Sequence, residues 1–250
     1  MEENNLSAQG GSVSGGENSL TNKSQSSQQI AGAIVIAGII VAGAILLRGS
    51  NAPSGNTPTS NNLGGVPTSQ GRPVSPSDHI IGNMNAKIVI VEYSDLECPY
   101  CKVFHNTMHQ VITNSNGKVA WVYRHYPIPQ LHPKAFHEAE ATECAWEQGG
   151  SDAFWRYADR IFEITPSNNG LDVAELPKIA EYIGLNLASF NTCLNSGKFA
   201  TKIQADINDG VKAGVNGTPS SFIIVKGKVI DTIPGAQPYE AVMQMLSGIR

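Results

Sequence analysis

The chain has 250 residues, a formal net charge of -4 at pH 7 and 15% charged residues, against about 25% in an ordinary globular chain. That length admits one or two domains, and the mild acidity argues against the basic face a nucleic-acid partner would require. The charge deficit sits in the first 77 residues, which are rich in Ser, Asn, Gly and Gln.

Residues 1–29 carry almost no apolar side chains. Nothing there offsets the entropy of ordering, so a disordered tail is expected. Residues 30–47, IAGAIVIAGIIVAGAILL, have no polar side chain. As a helix they would run roughly 27 Å, close to a bilayer core of about 30 Å. A buried core helix lacks an amphipathic partner nearby. A cleaved signal peptide would need a long n-region containing Glu2, Glu3 and Glu17, with no clean small-x-small site after Leu47. A single transmembrane anchor is therefore expected. Lys23 on one side and Arg48 on the other leave its orientation tied by flanking charge. Residues 48–77 are dominated by Pro, Gly, Ser, Thr and Asn and read as a flexible linker of about 30 Å average span.

From Asp78 the chain reads as one α/β domain. A β-branched run over 87–95 predicts a buried strand, and 99–115 a helix with Pro99 in its first turn. KVAWVYRHY predicts a second strand, closed by Pro127 and Pro129. A helical block follows, about 131–215, with breaks at Gly149-Gly150, Pro166–Gly170, Gly184 and Gly197. Strands over 221–226 and 228–234 flank the Lys226-Gly227 turn, and 239–247 closes the chain as an amphipathic helix.

The four cysteines are Cys98, Cys101, Cys144 and Cys193. An even count in an exported chain suggests two disulfides; in a cytosolic chain it more often signals metal or catalysis. Cys98 ends a strand and opens a helix, where unpaired N–H groups favour a thiolate. Such placement lowers a thiol from about 8.5 into a range of roughly 3.5–7.5. Tyr100 adds no positive charge, so a moderate lowering is expected. Cys101, one turn on, is placed to resolve a mixed disulfide. A zinc reading would recruit His105 and His109, four apart on the same helix. No second Cys-x-x-Cys exists, and exposed helical histidines are usually solvated, so no metal is expected. A purely structural Cys98–Cys101 bridge would constrain little of the unfolded chain.

The stretches VEYSDLECPYC, YRHYPI, HPKAFHEAEATECA, FNTCLNSG, GVNGTPSSF and PGAQPYEAV together resemble the DsbA-like branch of the thioredoxin superfamily over residues 78–249. The resemblance implies a thioredoxin fold with a helical domain inserted after the second core strand. It implies a cis Thr218-Pro219 bond beside the redox pair, with Thr218 and Pro219 contacting an extended substrate. It makes Glu92 the acid beneath the cysteines and the proton acceptor for Cys101, although an outward-facing strand glutamate is the competing reading. Glu97 is expected to be a solvated neighbour opposing the thiolate. The resemblance also pairs Cys144 with Cys193, a bridge that needs an oxidising compartment. That orients the anchor, with the tail cytoplasmic and the domain outside. Ser221, where relatives often carry an aromatic, and Lys226-Gly227, in place of Asn-Gly, depart from the pattern.

The expected function is thiol–disulfide exchange with no cofactor beyond the Cys98–Cys101 disulfide. Oxidation of exported proteins with cysteine thiols leads, with reoxidation by a membrane quinone-linked oxidase. The alternatives are a reductase or isomerase using the same pair, or a non-catalytic tethered binding or chaperone module.

Overall fold

Ile88–Ser94 (β2) and Val119–His125 (β3) are short runs rich in β-branched and aromatic side chains, and all but Val89 are buried. Such runs are stable only in the centre of a sheet covered on both faces. In the computed structural model, which describes residues 71–249, they pair in parallel, Ile88 with Val119 through Ser94 with His125. Parallel pairing needs a crossover, supplied by helix α1, Pro99–Asn114. Ser220–Val225 (β4) lies antiparallel to β2, and Lys228–Pro234 (β5) antiparallel to β4. Lys226 and Gly227 join them with both φ values positive (51° and 75°), as a tight hairpin of primed hand requires.

One strand is additional to the expected order. His79–Ile81 (β1) adds antiparallel to the outer edge of β3, giving the order β1-β3-β2-β4-β5. Three residues carry no readable period, so this strand exists only because β3 offers it an edge. The helical insertion stands between β3 and β4, as expected. It comprises α2 (Ala135–Ile164), α3 (Glu175–Tyr182), α4 (Leu187–Ser196) and α5 (Ala200–Ala213), and α6 (Tyr239–Ser247) ends the domain. The break expected at Gly149-Gly150 is present: Gly150 takes the non-helical φ 63°, ψ -150°, a conformation open to glycine, and two helical segments of α2 meet there in a kink.

Alternation along the strands sorts the core. Ile88, Ile90, Trp121, Tyr123 and Ile223 join α1, α6 and the helical insertion in the larger cluster. Val91, Tyr93, Val122, Phe222 and Ile224 pack on the opposite face with Ala213 and Val215. Glu92 and Ser94 continue the Ile90 face, which carries the cysteines. On the other face Arg124, fully buried, donates to Asp78 Oδ1 (3.0 Å), Asp209 Oδ2 (2.8 Å) and the Tyr93 hydroxyl (3.1 Å). Gly210 allows that approach: a Cβ there would lie 2.7 Å from the Tyr126 ring.

The tail, the apolar span 30–47 and the linker up to residue 70 lie outside the described residues. The linker's last residues are not free of the domain. Arg72 pairs with Asp78 (2.7 Å) and Asp206 (2.9 Å). Among the described residues no helix is long and apolar enough to cross a membrane.

Cys144 of α2 and Cys193 of α4 form a disulfide across a separation of 49 residues. A loop of that length restricts the unfolded chain by about 4 kcal/mol in the chain-entropy model. A Cys144→Ser/Cys193→Ser variant is expected to unfold in urea with a stability about 2–4 kcal/mol below the parent. An unchanged midpoint in non-reducing buffer would show that the bridge adds nothing.

Candidate active site at the start of helix α1

The chain turns from β2 into α1 through Asp95-Leu96-Glu97-Cys98, and each polar residue of the turn has a partner. The Asp95 carboxylate accepts from Glu97 N (2.9 Å), Ile128 N (2.8 Å) and His132 Nδ1 (3.0 Å). The Asp95 carbonyl accepts from Cys98 N (3.1 Å). Cys98 is the N-cap, with extended φ/ψ of -76° and 122°, and Pro99 takes the first helical position. No side chain closes a capping hydrogen bond there.

The two sulfurs meet different surroundings. Cys98 keeps 5% of its surface exposed, whereas Cys101 has none. Both are free thiols, and Cys98 Sγ lies 3.5 Å from the Thr218 carbonyl oxygen. The Cys101 thiol donates to the Cys98 sulfur. The backbone N–H groups of Cys101 and Tyr100 and the Thr218 side chain add to this against desolvation, and the Cys98 thiol is held down to about 6. Burial drives Cys101 the other way, well above the ordinary thiol range, and neighbouring Cys98 and Glu92 reinforce it. The arrangement provides one accessible nucleophile and one protected partner a helical turn below.

Glu92 lies beneath them, fully buried, so the outward-facing reading of this strand glutamate fails. Burial raises its carboxyl to about 7 although Trp121 Nε1 donates to Oε2 at 2.9 Å. Tyr123 and Ser221 are its register partners on the flanking strands. Glu92 Oε1, Ser94 Oγ, the Tyr123 hydroxyl and Ser221 Oγ are all buried, and the Ser94 hydroxyl stands among Glu92, Cys101 and Tyr123. Ser221, the position noted as departing from relatives, thus adds a hydroxyl to this polar floor. Thr218-Pro219 is cis and precedes β4 directly.

Glu97 corrects its expectation. It is fully buried rather than solvated. Its carboxylate accepts from Asn169 N (2.7 Å), Leu171 N (3.1 Å) and Thr165 Oγ1 (3.3 Å), and so binds the turn to the loop after α2. Its neighbour Glu138 meets no N–H or O–H donor at either oxygen. Burial, reinforced by the Glu97 carboxylate, raises Glu138 to about 9, so it is protonated at neutral pH and donates to Glu97. The spacing of acids in the sequence carries no sign of this pair, because Glu97 and Glu138 lie 41 positions apart and meet only through the fold. Asp95, His132 and Trp121 were likewise not singled out. Asp95 alone left a local signal, a short acid before a helix start. His105 and His109 do not gather with the cysteines. Their close neighbour is Asp159, and His105 is buried rather than solvated.

Residues 74–246 match the family model described as Thioredoxin. The chain is similar to the crystal structure of DsbA2 from Pseudomonas aeruginosa, at 28% identity and a TM-score of 0.59. That match covers 71% of this chain and 97% of the other. It is also similar to oxidised BdbD from Bacillus subtilis, at 21% identity and a TM-score of 0.61, covering 71% and 95%. At that identity the second likeness concerns the fold alone. Curated relatives include a protein named Na(+)/H(+) antiporter NhaA 1 from Mycolicibacterium vanbaalenii, 31% identical over 155 residues. Another is named Na(+)/H(+) antiporter NhaA 3, from Salinispora tropica, 35% identical over 152 residues. The matched segments are 61% and 60% of this chain but 24% and 22% of those proteins. The chain therefore spans about a quarter of the curated relatives it matches.

Two outcomes follow from the site's protonation. Alkylation of the reduced pair by iodoacetamide should follow a titration centred near pH 6; a midpoint near 8.5 would remove the stabilised thiolate. For Glu138, the folded value of about 9 exceeds the ordinary glutamate value of 4.5. Its contribution is therefore complete at acid pH and is lost as pH rises towards 9. Glu138→Gln keeps the donor to Glu97 without titrating. Between pH 7 and 9 its stability in urea should fall less than the parent's, since Glu92 titrates equally in both. Parallel slopes would show that Glu138 is ionised in the folded protein.

Proposed function

The chain belongs to the thioredoxin family, and on that footing we propose that it exchanges disulfides with protein substrates outside the cytoplasm, oxidising their thiols through Cys98 and Cys101. The observation that carries this reading is the unequal pair of sulfurs at the start of α1: Cys98 largely buried but still in reach of solvent and held down to about 6, Cys101 fully buried and raised.

In the oxidised protein a substrate thiolate attacks Cys98 Sγ. The Cys98–Cys101 bond breaks, and Cys101 leaves as a thiolate and takes the proton held on Glu92. Below about pH 7 that carboxyl is neutral and able to give it. A second substrate thiolate then attacks the substrate sulfur of the mixed disulfide, and Cys98 departs as a stabilised thiolate. The substrate loses two electrons and the pair gains them. Glu92 is reprotonated from solvent. The backbone at Thr218, beside the Cys98 sulfur, and the exposed Tyr100 ring form the surface on which an extended substrate lies. Reoxidation passes the two electrons to a quinone-linked membrane oxidase.

The apolar stretch 30–47 supports a single-pass anchor, and the Cys144–Cys193 bridge supports an oxidising compartment for the domain. One observation favours a second reading, a reductase or isomerase. A thiol near 6 lies closer to the value of about 7 in thioredoxin than to about 3.5 in DsbA.

Equilibration with glutathione separates a reductase from an oxidase or isomerase. A potential between about -120 and -180 mV is expected for an oxidase or isomerase, and one near -270 mV would sink the oxidase reading. Cys98→Ser should abolish exchange with a model dithiol peptide, and the domain should be open to added protease in intact cells.

A further inference from the structure

The structure assigns a second site, apart from the redox pair: His105 Nε2, His109 Nε2 and Asp159 Oδ1 form a three-ligand site for a divalent ion of the zinc class. His105 and His109 lie four residues apart on α1, and Asp159 faces them from α2. His105 Nε2 is 2.7 Å and His109 Nε2 2.8 Å from the same Asp159 oxygen, and the two nitrogens are 3.2 Å apart. A triangle with those sides has a circumradius of about 1.7 Å. That is shorter than the zinc–ligand distance of about 2.0–2.1 Å, so a point at that distance from all three atoms exists just off their plane. Seen from it, the two nitrogens subtend about 100° and each nitrogen with the oxygen about 85°, a compressed form of the tetrahedral arrangement.

As hydrogen bonds alone the group is poorly matched. If both Nε2 atoms donate to one oxygen, their protons converge and nothing passes between the rings. A cation replaces both protons with one charge. Two imidazoles and a carboxylate are the ligand set zinc prefers over magnesium or calcium. His105 Nδ1 has no partner, but Phe162 (centroids 4.4 Å), Trp121 (5.1 Å) and Trp155 (6.2 Å) fix the ring plane. His109 and Asp159 are partly exposed, and Asn106 and Glu163 line the same depression, which leaves a fourth position for water. Lys102 borders it too, but its Nζ is bonded to the carbonyl oxygens of Thr165 (2.6 Å) and Glu163 (3.4 Å).

The other cluster of this type among the described residues already holds a cation. His79, His125 and Glu143 are fully buried, and Lys202 Nζ sits 2.6 Å from Glu143 Oε1 and 3.2 Å from His79 Nε2.

The test uses the full, tag-free chain with Cys98–Cys101 oxidised, which removes the thiols as ligands. The protein is stripped with chelator and titrated with Co2+ alone, then with Zn2+. One equivalent of Co2+ should bind, with tetrahedral visible absorption and quenching of tryptophan fluorescence, and Zn2+ should displace it. His109→Ala and Asp159→Asn, both at partly exposed positions, should each weaken binding by at least about 10–100-fold. Their circular dichroism should stay unchanged. Binding below one equivalent in the parent, or equal binding by both folded variants, overturns the site. The outcome is independent of the direction of disulfide exchange.

Discussion

The difference in solvation between two sulfurs one helical turn apart sets the terms for the rest of the molecule. Cys101 is enclosed by the sheet and α1, where a charge has no solvent to stabilise it. Cys98 sits at the helix start, where backbone N–H groups are unpaired and favour a negative charge. Because the Cys101 proton stays on its sulfur, that thiol donates to Cys98 and stabilises the charge there. A single helical turn thus separates a charged sulfur from a neutral one. Glu92 beneath them is raised to about 7 by the same burial that protects Cys101.

Such a charge distribution is useful only if the turn carrying Cys98 is rigid. Two carboxylates provide this from within. Asp95 gathers the β2–α1 turn to the segment after β3, and Glu97 gathers it to the loop after α2. The second tie gives the helical insertion a part in shaping the site: its loop reads the position of the residue directly before Cys98. Glu138 completes the arrangement by remaining protonated, since two adjacent buried carboxylates cannot both ionise without a cation between them. The opposite face of the sheet solves its polar burial differently, with Arg124 between Asp78 and Asp209. There the charges are neutralised in place.

Several elements were legible in the amino-acid order. The β-branched runs of β2 and β3, the proline at the head of α1, and the glycines ending α4 and α5 are local signals, and the elements begin and end close to where those residues put them. Cys98 and Cys101 were legible for the same reason, since strand, turn and helix start are consecutive. The kink of α2 at Gly150 falls where Gly149-Gly150 put a break. β1 was not legible, because a three-residue strand depends on the edge of its partner.

What the sequence by itself determined is the order of elements and the placement of a Cys-x-x-Cys pair at a helix start, because both depend on neighbours within a few residues. The environment of each ionisable group was decided by the tertiary structure. Glu92 and Glu97 are the same residue type within six positions. One is raised to about 7 beneath a thiol because strands on both sides and α1 above exclude water. The other is an acceptor for three donors that a loop from the helical insertion brings to it. His105 and His109 meet Asp159 in the same way, from 50 and more positions away. Solvation and long-range pairing set the charge of a side chain, and neither is encoded in its immediate neighbours.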